Sequence, residues 1–289
     1  ACPEPFAGLF TQGMVTHETY KDEAGAWVFP EEVLMKDGKA VHAGTGAPII
    51  VGAVESMSKS KKNVVDPDDI IGNYGADTAR WFMLSDTPPE RDIEWTDGGV
   101  EAAHRFVQRV WRLVNEAAGR FDAAGSGDGM ELTKATHAAV RDIGADIEGL
   151  HFNRAVARIY EWANAMQKAL GDDATPGAVL RDSVDKMVRC FAPMMPHLSE
   201  ECWAVIGNDG FAAGSDWPTY DPALLIEDVL TLPVQVNGKK RGEVTVPKDA
   251  ANDDIERAVL ALDEVKRHLN GSAPRKVIIV PKRIVNVVA

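Results

Sequence analysis

Residues 98–121 read GGVEAAHRFVQRVWRLVNEAAGRF, and this stretch indicates the architecture of the middle of the chain. Its apolar side chains recur at spacings of three and four, from Val100 through Phe106 and Val110 to Phe121. That period places them on one face of an α-helix. A long amphipathic helix of this kind needs neighbouring elements against which its apolar face is buried.

Three further helical patterns follow, at about residues 133–148, 152–170 and 177–206. Pro193 and Pro196 are expected to break or kink the last one, because proline lacks the backbone N–H that a helix interior requires. Four amphipathic helices in succession predict a helical bundle, which we assign to residues 98–228.

The end of the chain predicts a separate small α+β domain, residues 229–289. Alternating residues at 230–236 and 243–246 flank Asn237-Gly238, a strong hairpin signal. A helix at about 252–269 and two strands at 276–280 and 284–288 complete this domain.

Residues 1–97 predict mixed structure, with short apolar stretches separated by Gly, Pro and Asp turn signals. Residues 15–55 have the pattern of a small β-rich insertion, with a turn at Asp37-Gly38. A short helix is expected at 77–84, before Pro88-Pro89. The fold class is therefore multidomain, mainly α with α+β parts.

The charge of the chain argues against a protein that coats nucleic acid over its whole surface. It has 31 Lys and Arg against 44 Asp and Glu, a net charge of -13. Residues 229–289 hold 11 basic and 7 acidic residues, so their local balance is +4 and the preceding 228 residues carry -17. Any nucleic-acid contact must therefore use local basic surfaces.

The three cysteines are widely spaced and include no CxxC pair, which favours a reducing, cytoplasmic setting over a disulfide framework or a metal site. Cys190 and Cys202 are interpreted as small buried apolar residues. No apolar run approaches the roughly 20 residues of a membrane-spanning helix, so no membrane partner is expected. We predict no metal ligands in this sequence.

The stretch with the clearest chemistry is Met57-Ser58-Lys59-Ser60-Lys61-Lys62-Asn63. Lysines separated by one small hydroxyl residue can meet the oxygens of a polyphosphate, because ammonium groups act as point charges and serines add hydrogen bonds. The alternative interpretation is a solvated basic loop, since short motifs often match by chance.

Residues 57–60 closely resemble the KMSKS signature loop of the class I aminoacyl-tRNA synthetases, and the surrounding sequence resembles the leucyl-tRNA synthetases among them. The blocks that match are residues 11–15, 66–71, 74–80, 106–115, 193–198, 200–203, 232–247 and 275–289. Ser56 stands where the family pattern begins with Lys, so Lys59 corresponds to the second lysine of the signature. Lys61 and Lys62 are candidates to replace part of the missing charge.

The resemblance implies an enzyme that activates leucine with ATP and Mg²⁺ and transfers the leucyl group to tRNA(Leu). It implies a catalytic role for Lys59 at the ATP phosphates, and ATP contacts for Met57, Ser58, Lys59, Ser60 and Lys61. Residues 1–14 and 56–97 would be the C-terminal part of the catalytic domain, and residues 15–55 the leucine-specific insertion. Residues 98–228 would be the anticodon-binding domain, and residues 229–289 a C-terminal tRNA-binding domain.

The second signature of the class, the HIGH sequence, is absent from the chain. We therefore expect a C-terminal portion of the enzyme, monomeric, that is inactive in isolation and binds no cofactor stably. The alternative is a non-catalytic tRNA-binding module derived from a synthetase. The encoded reading frame distinguishes the two, because an upstream segment with a HIGH-like motif favours the enzyme and a start codon near Ala1 favours the module.

Basic residues at three places are the predicted tRNA contacts. Arg105, Arg109 and Arg112 form one stripe of the helix that starts near Gly98, although such a stripe is also typical of a solvated face. In the tail the candidates are Lys239, Lys240, Arg241, Arg275, Lys276, Lys282 and Arg283. Trp111 and Trp162 are interpreted as core residues and His197 as structural.

Overall fold

The protein's structure, a computed structural model, describes residues 5–6, 8–225, 229–248, 250–269, 272–281 and 283–288. The chain separates into two units, one up to Leu224 and the other from Leu225 onward. Lys282, one of the predicted tRNA contacts, lies outside the described residues.

The first unit begins with a β-rich region. Its strands are β1 (Val15–Lys21), β2 (Trp27–Val28), β3 (Val33–Lys36), β4 (Lys39–His42), β5 (Ile50–Ser56) and β6 (Ile93–Glu94). β1 pairs antiparallel with β2 and β5 and parallel with β6, and β3 pairs with β4 as a separate hairpin. Asp37 and Gly38 both have positive φ, 51° and 75°, which is the geometry of the tight turn predicted there.

Two short helices connect this sheet to the bundle: α1 (Pro67–Tyr74) and α2 (Ala76–Ser85). α2 confirms the helix predicted at 77–84. α1 was not predicted, because eight residues are too few to establish an apolar period. Its start is fixed locally, since the Asp66 side chain accepts a hydrogen bond from the backbone N–H of Asp68 and Pro67 is the first helical residue.

The helical bundle follows as α3 (Asp97–Ala118), α4 (Met130–Glu148), α5 (Phe152–Leu170), α6 (Gly177–Phe191) and α7 (Pro196–Val205). The predicted helices are confirmed with one change: α3 ends at Ala118, short of Phe121. The break predicted within 177–206 is confirmed, because α6 ends at Phe191 and Pro196 begins a new helix, where its missing N–H costs nothing.

The bundle and α2 share one hydrophobic core. Trp81 of α2 is fully buried and stacks on Phe106 of α3, with ring centroids 5.0 Å apart. Its indole N–H donates to the hydroxyl oxygen of Tyr160 on α5 at 3.2 Å. Burial of large aromatic surfaces in this way stabilises the packing, so α2 is held firmly against the bundle.

The second unit contains β7 (Val229–Val236), β8 (Lys239–Pro247), α8 (Asn252–Ala261), α9 (Asp263–Leu269), β9 (Lys276–Val280) and β10 (Ile284–Val288). The sheet order is β8-β7-β10-β9, with β10 parallel to β7 and the other pairs antiparallel. Asn237 and Gly238 have φ of 49° and 80° and form the predicted hairpin turn. The two final strands match their predicted bounds.

The single helix predicted at 252–269 is wrong, because Leu262 has an extended backbone (φ −63°, ψ 132°) and separates α8 from α9. In one continuous helix, Val259 and Val265 would lie about 120° apart around the axis, at the two edges of one apolar face. With the break both are completely buried in the core of this unit. Across the described part of the chain, the helices are all too short or too polar to cross a membrane.

Candidate functional site

The predicted phosphate loop leaves the end of β5 and is anchored first by Met57. The backbone N–H of Met57 donates to the carbonyl oxygen of Val15 on β1 at 3.1 Å. Its side chain lines a cavity of about 260 Å³ whose walls, including Ile70 and Trp95, are almost entirely apolar. Met57 is half-buried and packs the start of the loop against apolar side chains, and this apolar cavity is unsuited to a polyphosphate.

The next residues form a compact turn. The N–H of Lys61 donates to the carbonyl of Ser58 at 3.1 Å, and that of Lys62 to the carbonyl of Lys59 at 3.3 Å. The hydroxyl oxygens of Ser58 and Ser60 are 2.7 Å apart and hydrogen-bonded to each other. The turn thus places two hydroxyl groups on either side of Lys59 along the chain, at its exposed tip.

Asn63 closes the loop at its far end. Its side chain is fully buried, and its Oδ1 accepts a hydrogen bond from the backbone N–H of Ser58 at 2.9 Å. The sequence interpretation gave this residue no role. The sequence does carry a signal for it: Asn63 stands directly after the basic loop and directly before the apolar pair Val64-Val65. A short amide beside an apolar pair is expected to be drawn into the interior, where it must find hydrogen-bond partners.

The three lysines of the loop have different surroundings. Lys61 forms an ion pair with Glu55, and the Nζ of Lys62 lies over the ring of Phe29, 4.8 Å from its centroid. Lys59 is exposed, and no carboxylate of the described residues lies within ion-pairing distance of it. Hence Lys59 is the lysine of this loop whose charge is available to an incoming anion, whereas Lys61 and Lys62 already have partners.

The predicted arginine stripe lies on α3, but its members differ in what they contact. Arg105 is exposed, with its guanidinium 3.7 Å from Glu101. Arg112 is exposed and its Nε donates to the carbonyl of Gln108 at 3.4 Å. Arg109 is half-buried and donates to the side-chain oxygen of Asn164 on α5 at 2.8 Å. Arg109 therefore joins two helices, while the other two arginines face solvent.

An open groove of about 390 Å³ lies between α2, α3 and α7. Trp111 lines it and is half-buried against the core, whereas Trp162 is confirmed as a core residue, 2% exposed. The ring of His197 is mostly exposed, with its Nδ1 3.7 Å from a carboxylate oxygen of Asp77. The lining of this groove includes Asp77 and Glu201 but no lysine or arginine, so it is unsuited to a phosphate group.

In the second unit the basic residues Lys239, Lys240 and Arg241 begin β8 and are exposed. The Nζ of Lys240 donates to a carboxylate oxygen of Glu243 at 2.7 Å. Lys239 and Arg241 have no ion pair with another residue of the described ranges. Three more predicted contacts are also exposed: Arg275, Lys276 and Arg283.

The residues of the loop fit an anionic phosphate ligand, whereas the part of the chain that the structure describes holds no grouped side chains suited to a metal ion. Ser58, Lys59 and Ser60 supply hydroxyl and ammonium groups, which suit phosphate oxygens. Within the ranges that the structure describes, no three His, Cys, Asp or Glu side chains are grouped so that they could hold a metal ion. We therefore assign no residue of this chain to the metal.

Two family models match the chain. Residues 49–96 match the model described as tRNA synthetases class I (I, L, M and V), and this range contains the whole loop. Residues 130–257 match the model described as anticodon-binding domain of tRNA ligase. The second range contains helices α4 to α7 and continues into the second unit.

Individual relatives match over nearly the whole chain. A leucine–tRNA ligase of Afipia carboxidovorans is 54% identical over 299 residues, which is 99% of this chain and 34% of that protein. A leucine–tRNA ligase of Brucella anthropi is 55% identical over 307 residues, 99% of this chain and 35% of that protein.

A solved structure gives the same result. The LeuRS of Agrobacterium radiobacter in a ternary complex with tRNA and LeuAMS has a TM-score of 0.67 and 32% sequence identity, covering 99% of this chain and 33% of that one. The chain thus spans about a third of the length of the relatives it matches. With mixed helix and sheet and matches to the class I synthetase and anticodon-binding models, the chain belongs to the leucine–tRNA ligases of the class I aminoacyl-tRNA synthetases.

Proposed function

We propose that this chain supplies the phosphate-binding loop and the tRNA-binding parts of a leucine–tRNA ligase, as its C-terminal portion. The complete enzyme binds leucine and ATP. The leucine carboxylate attacks the α-phosphorus, the bond to the bridging oxygen breaks, and leucyl-adenylate and pyrophosphate form. The leucyl group then passes to the terminal ribose of tRNA(Leu), with release of AMP.

The observation that supports this proposal is the free ammonium group of Lys59 at the tip of an anchored turn. Negative charge grows on the departing pyrophosphate as the bond to the α-phosphorus breaks, and a cation fixed beside it lowers the barrier. Ser58 and Ser60 can donate hydroxyl hydrogen bonds to the same oxygens after giving up their mutual bond. Bound Mg²⁺ would neutralise phosphate charge in the complete enzyme.

The proposal divides the chain into four parts. Residues 1–14 and 56–97 belong to the catalytic domain, residues 15–55 are the leucine-specific insertion, residues 98–228 bind the anticodon arm and residues 229–289 bind the tRNA elsewhere. The hairpin β3–β4 supports the insertion, and the bundle α3–α7 supports the third part. We propose a cytoplasmic monomer, which is compatible with the free thiols of Cys190 and Cys202.

Contact with tRNA is proposed at exposed cations that have no partner in the described structure, because phosphates compete poorly for arginines and lysines already held by carboxylates. The residues that meet this condition are Lys239, Arg241, Arg275, Lys276 and Arg283. Arg112 is bonded only to a carbonyl oxygen of its own helix, which leaves its positive charge uncompensated. These six residues are therefore the strongest of the predicted tRNA contacts.

The test is leucine-dependent exchange of pyrophosphate into ATP by a complete leucine–tRNA ligase that carries residues 1–289. Lys59→Ala is expected to lower the rate constant on the order of 10²-fold or more, the cost of losing one fixed group that stabilises transition-state charge. Lys36→Ala removes the same charge from an exposed position on β3 and serves as the matched control. Equal rates for the Lys59 and Lys36 variants would contradict the assignment.

The chain by itself is expected to show no such exchange, since it lacks the HIGH signature, but to bind tRNA(Leu) in a salt-sensitive way. Pyrophosphate exchange by pure residues 1–289 would overturn the first expectation. Failure to bind tRNA(Leu) at low salt would overturn the second.

A further inference from the structure

We infer that Asn63 is the positioning residue of the signature loop, which holds the turn so that Lys59 meets the phosphates. This inference rests on the function proposed above. Besides the bond from Ser58 to its Oδ1, the Nδ2 of Asn63 lies within hydrogen-bonding distance of three carbonyl oxygens. These belong to Glu55 at 3.1 Å, Ser56 at 3.3 Å and His17 at 3.3 Å.

The partners show why an amide is needed at this position. One side-chain atom receives an N–H and the other faces only carbonyl oxygens, so the oxygen and the nitrogen of the amide are assigned unambiguously. Aspartate would keep the bond from Ser58 but would set a second carboxylate oxygen against three carbonyls. Alanine would leave all four backbone groups without this partner, which is itself fully buried.

The contacts also join separate parts of the chain. Glu55 and Ser56 end β5 just before the loop, Ser58 is inside the loop, and His17 is on β1. One side chain therefore ties the entry, the first turn and the exit of the loop to the central strand of the sheet. Lys59 lies between two of these fixed points, four residues before Asn63.

The side chain of Lys59 has no partner among the described residues that would hold it in place. Its position relative to a bound phosphate therefore depends on its backbone, and that backbone depends on the turn that Asn63 closes. A displacement of about 1 Å at a reacting centre can cost on the order of 10²-fold in rate. The geometry thus assigns Asn63 an effect on catalysis that acts through Lys59.

A double-mutant cycle in the complete ligase tests this. Asn63→Ala is expected to lower the rate constant of leucine-dependent pyrophosphate exchange by about 10- to 100-fold with a smaller change in the KM for leucine. In a Lys59→Ala background the same substitution is expected to have almost no further effect, because the group that Asn63 positions is already absent. If the double variant is as slow as the product of the two single losses in rate constant predicts, the inference is overturned.

The control is Asn73→Ala, which removes an exposed asparagine from α1 and is expected to leave exchange unchanged. Asn63→Asp is expected to be at least as slow as Asn63→Ala, because it keeps the shape but repels the three carbonyls. Recovery of exchange by Asn63→Asp would contradict the role of the Nδ2 donors.

A second measurement uses residues 1–289 alone and needs no activity. Hydrogen exchange of the Ser58 amide is expected to be slow in the wild-type chain and at least tenfold faster in Asn63→Ala, with the amide of Val54 unchanged. Equal Ser58 exchange in both proteins would overturn the inference. A wild-type complete ligase without leucine-dependent exchange would instead overturn the proposed function and leave the loop contact standing.

Discussion

The carboxylate of Asp77 on α2 accepts a hydrogen bond from the backbone N–H of Leu198 on α7, with 2.7 Å between Oδ2 and N, although 121 positions separate the two residues. Its other oxygen accepts from Arg80 at 2.8 Å. Met195, the residue before α7, provides no side-chain cap. Asp77 therefore caps the first turn of α7 from another helix and joins the segment after the loop to the end of the bundle.

Asp77→Ala is expected to lower the free energy of unfolding of the first unit by about 1–3 kcal/mol, because the N–H of Leu198 loses a buried charged acceptor. Urea denaturation followed by tryptophan fluorescence measures the change. Asp173→Ala, at an exposed loop position, is the control and is expected to have little effect. Equal denaturation midpoints for the two variants would show that the cap contributes nothing.

The cations at the start of β8 are expected to contribute unequally to tRNA binding. Lys239→Ala and Arg241→Ala should each weaken binding of tRNA(Leu) by the chain and reduce its salt dependence, the slope falling by about one for each phosphate that is no longer bound. Lys240→Ala should have a smaller effect, because Glu243 already compensates its charge. Titrations at several salt concentrations measure both the affinity and the slope.

Arg257→Ala is the matched control for these variants, since it also removes one cation from the second unit but from a helix, where Asp254 pairs with it. A triple variant of Lys239, Lys240 and Arg241 to Ala that binds as tightly as wild type at low salt would exclude this end of β8 from the tRNA contact surface.

The arginines of α3 are expected to separate into two classes. Arg109→Ala should lower the free energy of unfolding by about 0.5–1.5 kcal/mol, because it removes a bond that joins α3 to α5. Arg112→Ala should leave stability within about 0.5 kcal/mol and weaken tRNA binding instead. Thermal unfolding and tRNA titration of both variants provide the comparison, and a destabilised Arg112 variant with normal tRNA affinity would reverse the assignment.

We expect the ion pair with Glu55 to compensate the positive charge of Lys61 and so weaken its attraction for ATP. Glu55→Gln releases Lys61 and removes a negative charge near the phosphates, so the KM of the complete ligase for ATP should fall about two- to fivefold, the range of a partly exposed ion pair. Glu31→Gln, an exposed change in the segment before β3, is the control. An unchanged or higher KM for ATP would mean that Lys61 does not reach the nucleotide.

The two buried thiols give a prediction that depends on pH. Burial raises the pKa of Cys190 and of Cys202 from 9.0 to about 12, since a thiolate would lose its hydration. Both thiols stay protonated below pH 9 in the folded state and are expected to resist maleimide or iodoacetamide at pH 8 until urea unfolds the chain.

Alkylation is best measured by mass spectrometry in a Cys2→Ser background, because Cys2 lies outside the described residues. In the unfolded chain these thiols ionise above pH 9, whereas in the folded chain they ionise only near pH 12. The free energy of unfolding is therefore expected to fall as the pH rises from 9 to 12. Rapid alkylation of Cys190 at pH 8 under native conditions would contradict the burial.

Local sequence patterns predicted most helices and strands correctly, including helix α5 and strands β9 and β10, because the apolar period of a helix or strand is a property of adjacent residues. The hairpin turns at Asp37 and Asn237 were predictable for the same reason, since both need a positive φ that Asn, Asp and Gly tolerate. The resemblance in the loop placed the candidate site at Lys59.

What could not be predicted depends on residues far apart in the chain. The break at Leu262 interrupts an apolar pattern that continues on both sides of it, and Val259 and Val265 are both buried in the core of this unit. Lys61 pairs with Glu55, and Lys62 contacts the ring of Phe29, so neither of these two candidate phosphate ligands is free. A sequence pattern counts their charges but contains no information about their neighbours.

The order of residues alone established the helical bundle, the small α+β unit, the basic loop and the family, since each is carried by local periodicity or by a contiguous motif. Three-dimensional packing established which lysine is free, which arginine joins two helices, and that Asn63 closes the loop. The physical reason is that burial and hydrogen bonding act between surfaces brought together by the fold. Lys59 and Lys61 are two positions apart in sequence, yet only the fold brings Glu55 against one of them.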